Sequence, residues 1–318
     1  MNFIEKVLNR QELIDQPPVL IDIGASGQIH KIWKRIAPYS ICVAFDADDR
    51  EFGFVTKEKS GFKKLHIFNC IVTDSADKEI DFYLTKSPYC SSTLMPDNDA
   101  LSVWAFADKF NFDTKTRLKA ISLNNALQQL NLNYVDWFKT DSQGTDLRLF
   151  KNLGEDKIDK AIVAEFEPGI IDAYIGEDKF FQLLQFMSNK NFWLSNLTIK
   201  GSQRICKENL TDLSSNTLWQ KLIYFSLVTS PGWSETTFIN NFNPDLTLRD
   251  YLLGWVFATI LKQHGFAYKI SNAAYAKFEN DIFVEMKNVS ARSMNLNVLK
   301  LKFIPAVFEK FSKLLKIQ

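Results

Sequence analysis

The sequence predicts an α/β protein built on a mostly parallel sheet with helices on both faces. Short runs of branched apolar residues recur up to about residue 200, and segments with helical spacing of apolar residues separate them. The first run, Val19–Ile23, is followed at once by a turn of small residues and a helical segment. Strands that alternate with helices favour parallel pairing, because a parallel connection needs a long crossover.

The predicted elements follow one another in a regular order. A helix over residues 1–16 ends at Pro17, and the turn after the first strand leads to a helix over 28–37. The further predicted strands are Ile41–Phe45, Leu65–Phe68, 80–85, Tyr134–Lys139, Ala161–Phe166 and Phe192–Leu197. The helices among them are Ser122–Leu130, Asp146–Leu153 and Asp178–Asn189.

Near residue 201 the alternation of strands and helices gives way to polar loops and then to segments with helical spacing of apolar residues, which predicts a domain boundary. Residues 1–200 are expected to form the α/β domain and 201–318 a helical C-terminal extension. Pro305 opens the last helix, with an apolar stripe at Val307, Phe308, Phe311, Leu314 and Leu315 and with Lys310, Lys313 and Lys316 outside it. We expect the stripe to dock on the chain itself or on a second copy in a homodimer; peripheral attachment to an anionic membrane is the alternative.

Composition and charge exclude several classes of function. Hydrophobic residues make up 46% and charged residues 24%, as in globular proteins with a sizeable core. A net charge of +1 provides no field for nucleic acid, so no nucleic-acid partner is expected. The longest uncharged apolar stretches, Leu222–Trp233 and Tyr251–Leu261, are too short for a transmembrane segment.

The sequence contains no metal-binding motif. Its four cysteines form no CxxC pair, and only three histidines accompany them, so structural zinc is not expected. The acidic run from Asp46 to Asp49 lacks the glycine and glutamate of a calcium loop. The first 16 residues lack the apolar region of a signal peptide, which predicts reduced thiols and a cytoplasmic location.

Two motifs after the first two strands indicate a nucleoside-containing cofactor. The turn with Gly24 and Gly27 lets a ligand approach the backbone at the start of a helix. Asp46 follows Asp22 by 24 residues and ends the second strand, where a carboxylate can accept hydrogen bonds from both ribose hydroxyls. A chance combination of a small turn and an acidic residue is the alternative. A dinucleotide is disfavoured, because the third glycine of G-x-G-x-x-G is missing.

The stretch from Lys139 to Asp146, KTDSQGTD, resembles the K-I-D-V-Q-G-x-E motif of the FkbM-type family of S-adenosylmethionine-dependent methyltransferases. Other motifs of that family occur in the same order at Asp22–Ala25, Phe45-Asp46, Asn69 with Asp74, Ser91-Ser92 and Ala164–Glu167. The resemblance covers about residues 17–197. This chain departs from the family in a turn that is one residue tighter and in Thr140 and Ser142, which replace aliphatic neighbours of Asp141.

The resemblance implies a class I methyltransferase (Rossmann-like) fold, with S-adenosyl-L-methionine as the cofactor. The cofactor-binding residues that it implies are Asp22, Gly24, Ala25, Gly27, Asp46, Asn69, Asp74 and Asp141. The implied reaction is O-methylation of a sugar, a surface-polysaccharide precursor or another natural product.

Asp141 is the first catalytic candidate, since a carboxylate at the end of a central strand can orient the cofactor or accept a hydroxyl proton. Glu167 is the second, and is better placed than Glu165 because it lies beyond the end of the strand. Helix capping or pairing with lysines is the structural alternative for both glutamates. The functional alternatives are a non-catalytic binding or scaffold protein that retains the fold and, with less support, an NAD-dependent oxidoreductase.

Overall fold

The computed structural model describes residues 2–25, 30–47, 61–242 and 245–315, with the backbone only at 301, 302 and 313–315. The chain divides into two compact units. One consists of Pro17–Asn241, and the other joins Met1–Gln16 to Phe242–Gln318. The predicted boundary near residue 201 therefore falls inside the first unit, and the first 16 residues belong with the C-terminal helices instead of with the sheet.

The first unit contains a large and a small sheet. The strands are β1 (Val19–Ile23), β2 (Ile41–Phe45), β3 (Lys64–Phe68), β4 (Ile71–Val72), β5 (Glu79–Thr85), β6 (Phe112–Ile121), β7 (Trp137–Thr140), β8 (Val163–Phe166), β9 (Phe192–Ser202) and β10 (Ser230–Asn240). The order of the seven-stranded sheet is β3-β2-β1-β7-β8-β10-β9, and that of the three-stranded sheet is β4-β6-β5. In the large sheet β10 alone runs in the direction opposite to the other six strands, which confirms the predicted α/β class with a mostly parallel sheet.

Along the sequence, the helices of the first unit lie between these strands. They are α3 (Asn98–Leu101), α4 (Leu123–Gln129), α5 (Asp146–Asn152), α6 (Glu155–Ile158), α7 (Phe180–Ser188), α8 (Lys207–Leu213) and α9 (Thr217–Ser226). The second unit is helical, with α1 (Phe3–Leu8), α2 (Gln11–Asp15), α10 (Leu248–Ile260), α11 (His264–Phe278), α12 (Ile282–Val298) and α13 (Ile304–Leu315). A π-helical turn, Leu299–Phe303, connects the last two helices. None of the described helices combines the length and the apolar character needed to cross a membrane.

Three predicted elements differ from the structure. The opening helix is broken into α1 and α2, and the described part of the predicted helix over 28–37 forms 3-10 turns at Lys31–Arg35 and Ala37–Tyr39. Its buried residues Trp33 and Ile36 are three apart, which matches the period of a 3-10 helix. Strand β10 was expected to belong to a helical extension, but it pairs along its length with β9.

The core of the first unit explains part of the high phenylalanine content. All five residues of β1 are buried, so both faces of this central strand are covered. On one face the rings of Phe138 and Phe150 lie 5.0 Å apart, and Phe166 lies 5.1 Å from Phe150. Aromatic contacts of this kind stabilise a core beyond the apolar area that they bury.

Gly254 in α10 provides a test of packing in the second unit. A Cβ atom at this position would lie 1.9 Å from Cζ of Phe242, whose ring is held between Tyr251 and Phe266. We expect Gly254→Ala to lower the free energy of unfolding by about 1–3 kcal/mol in urea titrations, because the ring must move. Gly265→Ala is the matched control: no atom lies within 4 Å of its Cβ position, so stability should be unchanged or slightly raised. Equal losses in the two variants would contradict this packing.

Candidate functional site

A cleft of about 90 Å³, partly open to solvent, lies at the carboxyl ends of β1, β2 and β7. Gly24 follows β1, Asp46 follows β2 and Asp141 follows β7, and all three line the cleft. The order of strands reverses between β1 and β7, and such a switch point is where open α/β sheets bind ligands. Three of the residues predicted from separate motifs are therefore brought together.

The walls of the cleft combine apolar and polar groups. The apolar wall includes Ile23, Phe45, Ile71, Val72 and Phe82. The segment over residues 87–93, the flap, follows β5 and lines another side through Pro88, Tyr89, Ser91 and Thr93. Beside Asp141, polar groups come from Ser142, Gln143 and Thr145. A mostly apolar cavity with a few convergent polar groups is typical of a small-molecule site.

Gly24 is required by a close approach between two strand ends. Its φ is +76°, in the left-handed region, and a Cβ atom there would lie 2.2 Å from the carbonyl oxygen of Asp141. The N–H groups of Gly24 and Ala25 both donate to the carbonyl of Phe45, each at 3.1 Å, which fixes the turn against β2. Ala25 itself is buried and does not line the cleft.

Asp22 is paired inside the sheet, away from the lining of the cleft. It is fully buried opposite Lys139 in the register of β1 and β7, and its Oδ1 lies 2.8 Å from Nζ of Lys139. Burial lowers the pKa of Lys139, but the carboxylates of Asp22 and Asp141 outweigh it and raise that pKa above its usual value. Sequence reasoning missed Lys139, although it opens the motif that contains Asp141.

The structure separates the other predicted cofactor residues from the cleft. Asn69 and Asp74 are exposed, while residues between them line the cavity. Gly27 lies outside the described residues. The site therefore retains Gly24, Asp46 and Asp141 from the predicted set.

Asp146 ties the ends of β7 and β8 together. Its Oδ1 accepts from the hydroxyl of Thr140 at 3.0 Å and from the N–H and hydroxyl of Ser142, and its Oδ2 accepts from the N–H of Glu167 at 2.9 Å. Burial raises the pKa of Asp146, and the bonds from Ser142 oppose this shift. Thr140 and Ser142, the polar departures from the family motif, are thus the donors that this buried carboxylate needs.

Asp141 and Glu167 form a coupled pair of acids beside Lys139. Burial raises the pKa of Asp141 to about 6, although the charge of Lys139 opposes the shift. Burial and then the charge of Asp141 raise the pKa of Glu167 to about 9. These shifts predict that at neutral pH Asp141 is ionised and Glu167 holds a proton.

Gln143 connects the flap to the end of β7. Its backbone adopts φ +56°, and its side-chain N–H donates to Oδ1 of Asp141. Its carbonyl accepts from the hydroxyl of Ser92 at 2.6 Å, and its Oε1 lies 2.9 Å from the hydroxyl of Tyr174. The family motif Ser91-Ser92 includes Ser92, but no pattern in the sequence indicated a role for Tyr174.

Glu165 serves the structure and does not line the cleft. It accepts from Nε1 of Trp137 at 3.1 Å and from the hydroxyl of Thr237 at 3.2 Å, and Nε2 of His30 lies 3.4 Å away. His30 is half-buried against these groups. Glu167 is also absent from the lining of the cleft, so the lining does not distinguish the two glutamates.

Comparisons of the chain with protein-family models, with characterised proteins and with solved structures find no match. The structure is that of an α/β protein compatible with a Rossmann-like fold, with a cleft at the switch point of its sheet. Among the described residues, no cluster of three or more histidine, cysteine or acidic side chains is arranged to hold a metal ion.

The raised pKa of Glu167 predicts a pH-dependent stability. Between about pH 6 and 8 the unfolded chain has released the proton that native Glu167 still holds, so folding takes up a proton and stability falls as pH rises. Glu167→Gln should remove this contribution. The free energy of unfolding of the variant minus that of wild type should grow by up to about 1.4 kcal/mol per pH unit in urea titrations.

The control for this experiment is Glu208→Gln, at an exposed position on α8. Its difference from wild type should stay constant over the same pH range. A constant difference for Glu167→Gln as well would show that Glu167 is ionised in the native protein.

Proposed function

We propose that the protein is an S-adenosylmethionine-dependent methyltransferase that methylates a hydroxyl of a sugar, a surface-polysaccharide precursor or another natural product. The observation that carries this proposal is the convergence of Gly24, Asp46 and Asp141 on one cleft at the switch point. These residues belong to three separate motifs of the resemblance. The order of the strands is compatible with the class I methyltransferase fold that the resemblance implies.

The residues of the cleft fit this cofactor chemically. Asp46 is 7% exposed and lines the cavity, where its carboxylate would accept hydrogen bonds from the ribose hydroxyls. Phe45, Ile71 and Val72 provide an apolar surface for the adenine ring. Asp141 would serve in one of two roles, orienting the amino group of the methionine part or accepting the proton of the acceptor hydroxyl. When bound, the cofactor supplies a methyl group carried on a sulfonium.

The protein's own groups supply positioning and proton transfer. In the second role ionised Asp141 accepts the proton of the acceptor hydroxyl, while Glu167, which does not line the cleft, keeps its own proton. The flap closes one side of the cleft, which limits the access of water. Correct alignment of two reacting groups can contribute about 7–11 kcal/mol to lowering a barrier.

A binding or scaffold protein that retains the fold is the second candidate. One observation favours it: Asp22, which the resemblance assigns to the cofactor, is fully buried and paired with Lys139. Such a protein would bind the nucleoside ligand without turnover. Titration of ligand separates both candidates from an NAD-dependent oxidoreductase, and turnover separates them from each other.

Asp46→Ala tests the cofactor site. Two hydrogen bonds to a charged group are lost, each worth about 1.5–3 kcal/mol, so the Kd for S-adenosylhomocysteine should rise more than tenfold in isothermal titration. Asp74→Ala is the matched control, because Asp74 is exposed and does not line the cleft. Its Kd should equal that of wild type, and NAD should produce no binding heat. An unchanged Kd in folded Asp46→Ala protein would remove Asp46 from the site.

Asp141→Asn tests catalysis. The substitution keeps the shape of the side chain and removes its charge and basicity, so turnover should fall by about 100-fold or more, measured as S-adenosylhomocysteine formation over a panel of hydroxylated acceptors. The wild-type rate should fall as pH drops below about 6, where Asp141 takes up its proton. Glu165→Gln, on the neighbouring strand, should keep its activity. Near-normal turnover in Asp141→Asn would make Glu167 the residue to test.

A further inference from the structure

The C-terminal helix α13 presents apolar side chains that the described part of the chain does not cover. Every residue from 303 to 312 is exposed. The large apolar residues among them are Phe303, Ile304, Val307, Phe308 and Phe311. Phe308 is 72% exposed and Phe311 is 63% exposed. The structure therefore does not show Val307, Phe308 and Phe311 docked on the described part of the chain, which was one of the expectations from the sequence; the side chains of Leu314 and Leu315 lie outside the described residues.

The exposed side chains form one face of the helix. Ile304, Val307, Phe308 and Phe311 have the i, i+3, i+4, i+7 spacing that places residues on the same side over two turns. Glu309, Ser312 and Lys310 fall outside this face. A helix of 12 residues is about 18 Å long, which is too short to cross a bilayer but long enough to lie along a surface.

The charge of this segment is strongly positive. Residues 299–318 contain five lysines and one glutamate, a net charge of +4, whereas the whole chain has a net charge of +1. The remainder of the chain is therefore acidic by three charges. Lys300 and Lys310, the two of these lysines whose side chains the structure describes, are exposed. A local basic field thus accompanies the apolar face.

We propose that α13, together with the preceding turn Leu299–Phe303, binds flat on an anionic lipid surface. Such a surface satisfies both features at once: the acyl region takes the apolar face, and the anionic headgroups attract the lysines. A second copy of the helix would cover the apolar face but would bring two basic segments together. A nucleic acid would attract the lysines but leave the phenylalanines in water. This inference does not depend on the methyltransferase proposal.

Flotation of the full chain with vesicles tests this inference. At low salt we expect it to bind phosphatidylcholine vesicles that contain about a third phosphatidylglycerol and not vesicles of phosphatidylcholine alone. Phe308→Ser with Phe311→Ser should abolish binding. Lys300→Gln with Lys310→Gln should lower the partition coefficient about tenfold or more. Added salt should weaken wild-type binding, since it screens exposed charges.

The matched control uses the exposed apolar residues of α9, a helix of the first unit. Trp219 is 57% exposed and Phe225 is 75% exposed. Trp219→Ser with Phe225→Ser removes a comparable apolar area and leaves α13 intact, so vesicle binding should equal that of wild type. All the substituted side chains are exposed, and unchanged circular dichroism and urea midpoints would verify that each variant is folded.

Three outcomes would overturn the inference. In the first, the wild-type chain does not float with anionic vesicles at low salt. In the second, the α9 variant loses binding while the Phe308 and Phe311 variant keeps it, which would assign the lipid surface to α9. In the third, sedimentation equilibrium shows a dimer that the Phe308 and Phe311 variant loses, without any vesicle binding, and a second copy then covers α13.

Discussion

The buried ammonium group of Lys139 sets the charge balance on which the site depends. It lies 2.8 Å from the carboxylate of Asp22 and interacts with the charges of Asp141 and Glu167. One cation cannot neutralise three neighbouring acids, so a proton stays in the group. Because Lys139 opposes the effect of burial on Asp141, the pKa of that residue stays near 6, while the pKa of Glu167 rises to about 9. The proposed role of Asp141 as a proton acceptor depends on this arrangement.

The geometry around these charges depends on a second buried carboxylate. Asp146 accepts hydrogen bonds from Thr140, Ser142 and Glu167 and so fixes the end of β7 relative to the end of β8. Gln143 extends the network to the flap through Ser92. The polar residues that look like departures from a methyltransferase motif are therefore donors within a satisfied network, which a catalytic site and a binding site would both need. This is why turnover, and not the network itself, separates the two candidate functions.

Strands could be predicted correctly where a local run of apolar residues corresponds to a strand that is buried in the structure. Val19–Ile23 and Ile41–Phe45 have the predicted bounds, because a fully buried parallel strand appears in sequence as a short apolar run between turns. β6 was not predicted, since its alternating residues are charged and much of the strand is exposed. β10 was not predicted either, because Pro231 and Gly232 lie in the strand and its pairing partner β9 is distant in the sequence.

The sequence by itself determined which residues follow which strands. It places a glycine turn after the first strand, an acid after the second, and Asp141 after a central strand. Strand ends are local features, and parallel strands place their carboxyl ends at one edge, so the meeting of Gly24, Asp46 and Asp141 could be expected. Only the tertiary structure decided that Asp22 pairs with Lys139, that Asn69 and Asp74 face solvent, and that the apolar face of α13 is exposed. The partner of a side chain, its burial and its pKa depend on contacts between residues far apart in the chain, so no local sequence pattern predicts them.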